Sequence, residues 1–210
     1  MKSILATGFE PFGGETVNPS GEIVRRLDGR LVAGCRVRGI VLPCSFAGAW
    51  ERLEPELRRL RPVLVVCFGQ AGGRDGITPE RVAVNIDDAS IPDNAGFRPA
   101  DRPIAPGGPA ARWSTLPVKA IAAALRARAI PSSVSYTAGT FVCNHVFYAL
   151  MGALRRRRGV RGGFIHVPWL PEQGAAHGRE PSLPLETMVD GALVALETAM
   201  AGDPGPHPPR

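Results

Sequence analysis

Lysine is nearly missing from this 210-residue chain: only Lys2 and Lys119 occur, so 23 of the 25 basic residues are arginine. The arginines are spread along the chain and no recognisable nucleic-acid-binding module accompanies them, so the net charge of +6 does not make it a nucleic-acid protein. Their one dense run, Arg155-Arg156-Arg157-Arg158 with Arg161, falls where a helix starting near Asn144 should end, and cations there complement the helix dipole. Cysteine is scarce too. Cys35, Cys44, Cys67 and Cys143 form no Cys-x-x-Cys pair, which argues against a zinc knuckle and a redox dithiol and suits free thiols. No apolar run approaches bilayer length, and no charged-then-apolar leader precedes the first strand-like segment, so the expectation is a soluble cytoplasmic protein with no membrane partner. Glycine-rich stretches at 8–14 and 69–73 lack both the Gly-Lys-Ser/Thr ending and the Gly-x-Gly-x-x-Gly spacing of phosphate loops. No internal repeat is visible.

What remains is an apolar fraction of 44%, enough for one domain with a complete core, expected over residues 1–201. Residues 202–210, Gly-Asp-Pro-Gly-Pro-His-Pro-Pro-Arg, cannot contribute to a core and read as a disordered tail. Strand-like runs occupy 3–7, 36–42, 63–68, 82–86, 134–136 and 163–167. Helical periodicity lies between several of them. Asn18-Pro19-Ser20 suits a cap and first turn for a helix carrying Ile23, Val24 and Leu27 inward. Ser45 can open a second helix with Trp50, Leu53, Leu57 and Leu60, which Pro55 is expected to kink or divide. Ser114 can cap 116–129, and a last helix is expected over 184–201. Apolar strands alternating with helices predict a three-layer α/β domain whose sheet is covered on both faces, with ligands at the carboxyl ends of the strands. Residues 69–78 and 87–108 are long, Gly/Pro/Asp-rich and aperiodic, as functional loops often are.

Cys143 is the candidate nucleophile. It follows Thr137-Ala138-Gly139-Thr140-Phe141-Val142 at a helix start, where free N–H groups and the dipole favour thiolate. Its base must come from few histidines. His207 lies in the tail and His177 in a Gly/Ala-rich loop that reads as solvated. His145 is two residues from Cys143, and positions so spaced on a helix do not face one another. His166 ends a strand, where both catalysis and an ordinary half-buried histidine are consistent with the pattern. A third group to orient an imidazole is offered by Glu80 at a loop-to-strand transition, or by Asp87 and Asp88, although spacing alone favours a Glu80 paired with Arg81 or with solvent. Asp87 and Asp88 have no His or Cys at ligand spacing, so no metal is expected. Phe9 and Phe12, in a Gly/Pro loop, suit gripping a small flat group or plugging the core.

Four blocks, Gly8 to Gly14 with Asn18-Pro19-Ser20, Gly69 to Asn85, Ser135 to Tyr148 and Phe164 to Gln173, together resemble the type I pyroglutamyl peptidases, a family of cysteine exopeptidases. The resemblance implies a three-layer α/β/α sandwich with a twisted mixed, mainly parallel sheet, often a homotetramer, using no cofactor. It implies Cys143 as nucleophile, His166 as base and acid and Glu80 as the residue orienting it. It further implies Phe9, Phe12 and Phe141 as walls and Gln70 as amide partner for the five-membered lactam, with N-terminal pyroglutamyl peptides as partners cleaved through a thioester. One departure stands out: Asp87-Asp88-Ala89-Ser90-Ile91-Pro92-Asp93-Asn94 has Ser90 where the family commonly carries Arg, and Arg81 is a nearby candidate to compensate. Another amidase or a phosphorolytic enzyme on the same scaffold, and an Arg-rich binding protein with a degenerate site, are the rival readings.

Overall fold

A computed structural model describes residues 2–201. The expected tail at 202–210, with His207, lies outside the described residues. Strand β1 (Ser3–Phe9) leads into helix α1 (Pro19–Leu27), then β2 (Leu31–Val32), β3 (Cys35–Leu42) and α2 (Phe46–Leu60). Next come β4 (Leu64–Gln70), β5 (Thr78–Pro79), β6 (Val82–Val84) and β7 (Ala111–Trp113), followed by α3 (Val118–Ala127), α4 (Val142–Leu154), β8 (Arg161–Val167), α5 (Pro171–Ala176) and α6 (Leu185–Ala201).

The main sheet runs β2-β3-β1-β4-β8-β5. Its four inner strands are parallel and the two short edge strands antiparallel, giving the mixed, mainly parallel sheet. Period-two alternation sorts each strand's side chains between two cores. Ile4, Ala6, Val66, Phe68, Ile165 and Val167 face α1, α3 and α6. Leu5, Phe9, Val65, Cys67 and Phe164 face α2 and α4. β4 is buried along its whole length, as a strand covered on both faces must be. Among the described residues no helix is long and apolar enough to cross a membrane.

Local chemistry sets the helix starts. Asn18 Oδ1 accepts from the Ser20 amide at 3.1 Å and from Ser20 Oγ at 2.8 Å, capping α1 with Pro19 in its first turn. That helix sits tightly on the end of β1, for a Cβ at Gly8 would lie 2.1 Å from the Ser20 carbonyl oxygen. α2 starts at the expected place, but Ser45 makes no side-chain cap; Asp93 Oδ2, from the 87–108 loop, takes the Phe46 amide at 2.9 Å instead. Pro55 does not divide α2. It lies on the exposed side, where the carbonyl it leaves unpaired can turn to water, while Phe46, Ala49, Leu53 and Leu57 stay buried.

Three expectations need correcting. Residues 134–136 form no strand: Ser135 makes an isolated bridge to Glu80, as Ser132 before it does to Ile77, alongside the sheet edge. Residues 82–84 do form a strand, but pair with β7 in a separate ribbon packed on α4. α3 begins two residues late at Val118, because Ser114 Oγ takes the Leu116 amide and Pro117 occupies the cap position.

Candidate active site

The sheet order reverses direction at β1: the chain moves from β1 outward to β3 on one side and to β4 on the other. In open α/β sheets the crevice at such a switch point, at the carboxyl ends of the strands, is where ligands bind. The pairing of β1 with β4 stops at Thr7 and Cys67, although β1 continues to Phe9 and β4 to Gln70. The two strands therefore part here, and the candidate residues gather around the gap.

His166 lies near the end of β8 and is register partner to Gly69 on one side and Thr78 on the other. Glu80 follows the edge strand β5 and is anchored by its amide to the Phe164 carbonyl at 2.9 Å. That register brings Glu80 Oε1 to 2.7 Å from His166 Nδ1, with Glu80 fully buried and His166 nearly so. A carboxylate can only accept, so Nδ1 carries the hydrogen and Nε2 keeps the lone pair. The same Oε1 receives Arg74 Nη1 at 2.8 Å. Arg74 also bonds Thr78 Oγ1, and its Nη2 donates to the Thr137 carbonyl at 3.0 Å. The cation joined to this site is thus Arg74, a residue sequence reasoning passed over in favour of Arg81. Ser90 is exposed, on a loop whose Ile91 side chain reaches over Gly13.

Cys143 is the second residue of α4, whose first amides receive no side-chain cap. Its Sγ lies over Gly69, such that a Cβ there would meet the sulfur at 2.8 Å and the Phe164 ring at 2.7 Å. Since Gly69, Phe164 and His166 project to the same sheet face, the sulfur and the imidazole share one corner of the crevice. Burial pushes the Cys143 thiol well above its ordinary value, with Cys44, Glu80 and Cys67 adding to the effect and Arg74 opposing it. Its direction is opposite to the thiolate expected from the helix terminus alone. His166 is held below its ordinary value, first by burial and then by Arg74, against the pull of Glu80. Both shifts favour the uncharged forms, thiol and imidazole.

The other candidates separate. Asp87 turns to His145, with Oδ2 2.9 Å from Nδ1, and that imidazole stands edge-on to Phe46; this pair sits apart from His166. Asp88 Oδ1 accepts the Asp101 amide. Among the described residues no three metal-ligating side chains converge. His177 is not merely solvated: its Nε2 lies 2.6 Å from Glu15 Oε1 and its ring stacks on Trp169 at 4.1 Å. Cys44 and Cys67 are buried, their thiols pushed up to about 12 chiefly by loss of hydration, whereas Cys143 is partly exposed and is the one set against Gly69 in the crevice.

The aromatic candidates divide into wall and floor. Phe12 and Phe141 are half-buried with ring centroids 5.8 Å apart, whereas Phe9 is buried against Phe164 at 6.2 Å. Gln70 behaves differently from the expected side-chain partner. One residue beyond Gly69 in a regular strand, it sends its side chain to the opposite face from Cys143, where its Oε1 accepts from Gln173 Nε2 at 3.2 Å. Its backbone faces the gap. The Ala71 amide donates to the Val167 carbonyl, so residues 69 and 71 turn their peptide groups to β8 and Gln70 turns its own toward the parting β1.

Sequence reasoning also missed Asn144. It is fully buried; Oδ1 accepts the Val84 amide at 3.0 Å and Nδ2 donates to the carbonyls of Val84 and Ile86 at 2.9 and 3.0 Å, tying β6 to the start of α4. The signal was a lone amide inside the apolar run from Val142 to Leu154.

Comparison with known proteins gives the chain its relatives. Residues 2–202 match the family model described as pyroglutamyl peptidase. The chain is similar to the pyrrolidone-carboxylate peptidase of Klebsiella pneumoniae (strain 342), at 58% identity over 201 residues, 96% of this chain and 92% of that protein. Among solved structures, the crystal structure of Bacillus amyloliquefaciens pyroglutamyl peptidase I superposes with a TM-score of 0.92 at 46% identity, covering 96% of this chain and 98% of the other. Pyrrolidone carboxyl peptidase from Thermococcus litoralis superposes with a TM-score of 0.92 at 39% identity, covering 95% and 94%.

Proposed function

The chain belongs to the pyroglutamyl peptidase family, and from that premise we propose how its own residues remove the N-terminal pyroglutamyl residue of a peptide. It is a hydrolase of the cysteine peptidase class. Cys143 is the nucleophile, His166 the base and then the acid, and Glu80 the group that fixes the imidazole. The observation that carries these roles is the 2.7 Å contact of Glu80 Oε1 with His166 Nδ1 beside the sulfur resting on Gly69.

As Sγ bonds to the pyroglutamyl carbonyl carbon, its proton passes to His166 Nε2, and the imidazolium formed is stabilised by Glu80. The carbonyl π electrons move onto oxygen, which the uncapped amides at the start of α4 receive. When the tetrahedral centre collapses, the C–N bond breaks and Nε2 returns the proton to the departing amine. A thioester on Cys143 and a peptide with a free amino terminus result. Water, deprotonated by His166, then attacks the thioester, and the expelled thiolate regains a proton as pyroglutamate leaves. The scheme calls for no metal or organic cofactor.

The lactam ring packs against the exposed sides of Phe12 and Phe141, which touch each other at 5.8 Å between centroids, over the floor made by Phe9 and Phe164. Its amide edge is met by the Gln70 backbone, whose N–H and C=O complement the lactam C=O and N–H; a site so built disfavours rings that leave a buried group unpaired. We also propose a cytoplasmic location, in keeping with four free cysteines, and a homotetramer, for which exposed Leu31, Trp113 and Tyr136 supply apolar contact area. Light scattering on the purified protein checks the assembly. Mass spectrometry of a quenched reaction tests the chemistry. A pyroglutamyl adduct is expected on the peptide containing Cys143, and an adduct elsewhere, or turnover by Cys143→Ala, would refute the assignment.

A further inference from the structure

The loops that surround the crevice are joined behind it by one side chain. Gln173, in α5, is buried, and its Nε2 lies 2.7 Å from Glu15 Oε2, 3.1 Å from the Val17 carbonyl and 3.2 Å from Gln70 Oε1. Its Oε1 accepts the Leu170 amide at 3.1 Å, which fixes the amide so that the NH2 group points inward. The three acceptors belong to the loop after β1, which carries Phe12, and to the end of β4. Gln173 itself follows β8. The connection is braced from outside: Glu15 Oε1 meets His177, His177 stacks on Trp169, and Trp169 covers Gly72, where a Cβ would lie 2.2 Å from the indole. Gln173, and after it His177, hold the Glu15 carboxyl below the usual carboxylate range, so it stays an acceptor.

We propose that Gln173 is a positioning residue for the lactam: it sets the distance between the Phe12 loop and the Gln70 peptide group without touching Cys143, His166 or Glu80. The proposal rests on the placement of the lactam between Phe12 and Gln70 given above. Opening that distance weakens the grip on the ring and leaves the reacting atoms in place, so its effect appears in binding.

The test uses Gln173→Met, which keeps the volume and removes both donors. Three quantities are measured: kcat and KM for a pyroglutamyl amide, the inhibition constant of 2-pyrrolidinone, and the rate at which iodoacetamide alkylates Cys143. The expected result is that KM and the inhibition constant rise together by about tenfold, the scale of one good hydrogen bond, while kcat and alkylation change less than about twofold. Gln70→Met removes the same connection from the β4 side and should shift both in the same direction by a smaller factor, which keeps the test decisive if Gln173→Met fails to fold. The proposal is overturned if the inhibition constant is unchanged, or if alkylation and kcat fall in step with affinity. Should 2-pyrrolidinone fail to compete in the unmodified enzyme, the lactam placement itself is wrong and this proposal falls with it, a result visible before any variant is made.

Discussion

Cys143 Sγ and Gly69 are packed so closely that a methyl group on the glycine would press on the sulfur at 2.8 Å. On its other side that methyl would meet the Phe164 ring at 2.7 Å, so neither neighbour can yield freely. Gly69→Ala should therefore displace the proposed nucleophile, Cys143, while leaving β4 paired, and a displacement near 1 Å costs on the order of 100-fold in rate. Steady-state kinetics beside a circular dichroism melt checks this: kcat/KM should collapse with the fold intact, and an unimpaired rate would contradict the placement of the sulfur.

Glu80→Gln keeps the shape of the side chain but can present an N–H to His166, favouring the wrong tautomer. The expected loss in kcat is about 100-fold or more. Arg74→Met should be milder, about tenfold, since it removes a group acting through Glu80. Because the Arg74 charge helps hold the His166 value down, its removal should also move the acid limb of the rate profile to higher pH. A pH–rate series on Arg74→Met and Arg74→Lys distinguishes this from simple damage, as the lysine should restore the limb.

The pH profile of the unmodified enzyme follows from the two shifts toward the uncharged forms. His166 must be unprotonated to act as base, and with its value lowered below 6.5 it remains so into mildly acid solution, so the acid limb of kcat/KM should fall below pH 6.5. The Cys143 value, raised above 9.0, means that alkylation should still be accelerating past pH 9 in the absence of substrate. An alkylation rate already at its plateau by neutral pH would show a preformed thiolate, contrary to this account.

Asn144→Leu should unfold more easily without altering the reacting groups. Three hydrogen bonds vanish and the Val84 and Ile86 backbone groups they served are left unsatisfied, costing about 2–4 kcal/mol. For a chain of this size that lowers the melting temperature by roughly 5–15 °C. Differential scanning calorimetry provides the check.

The layered fold was readable from the sequence because its strands are continuous apolar runs and its helices keep their apolar stripe, as in α1 with Ile23, Val24 and Leu27. The short pieces were not. β5 and the segment at 132–135 owe their places to pairing with β8 and with each other, which no local pattern encodes. Cys143 was visible from its helix start, but His166 and Glu80 were ambiguous on local grounds, since only the antiparallel register of β5 with β8 brings them together. Resemblance to a family singled them out. Arg74 was hidden among 23 arginines, distinguished by nothing but a fold that returns Glu80 beside it. Gln70 was misjudged for a simpler reason: reading the glycine before it as a loop start concealed that β4 runs on, and strand alternation then sends its side chain away from the crevice.

In the proposed mechanism Cys143 attacks a pyroglutamyl carbonyl held in this crevice. Release of a chromophore from a pyroglutamyl amide, run beside the prolyl and glutaminyl amides and with Cys143→Ala as control, measures it directly. The expected result is a strong preference for the pyroglutamyl compound and no turnover by the alanine variant. Equal rates on the three amides, or an alanine variant that keeps its rate, would contradict it.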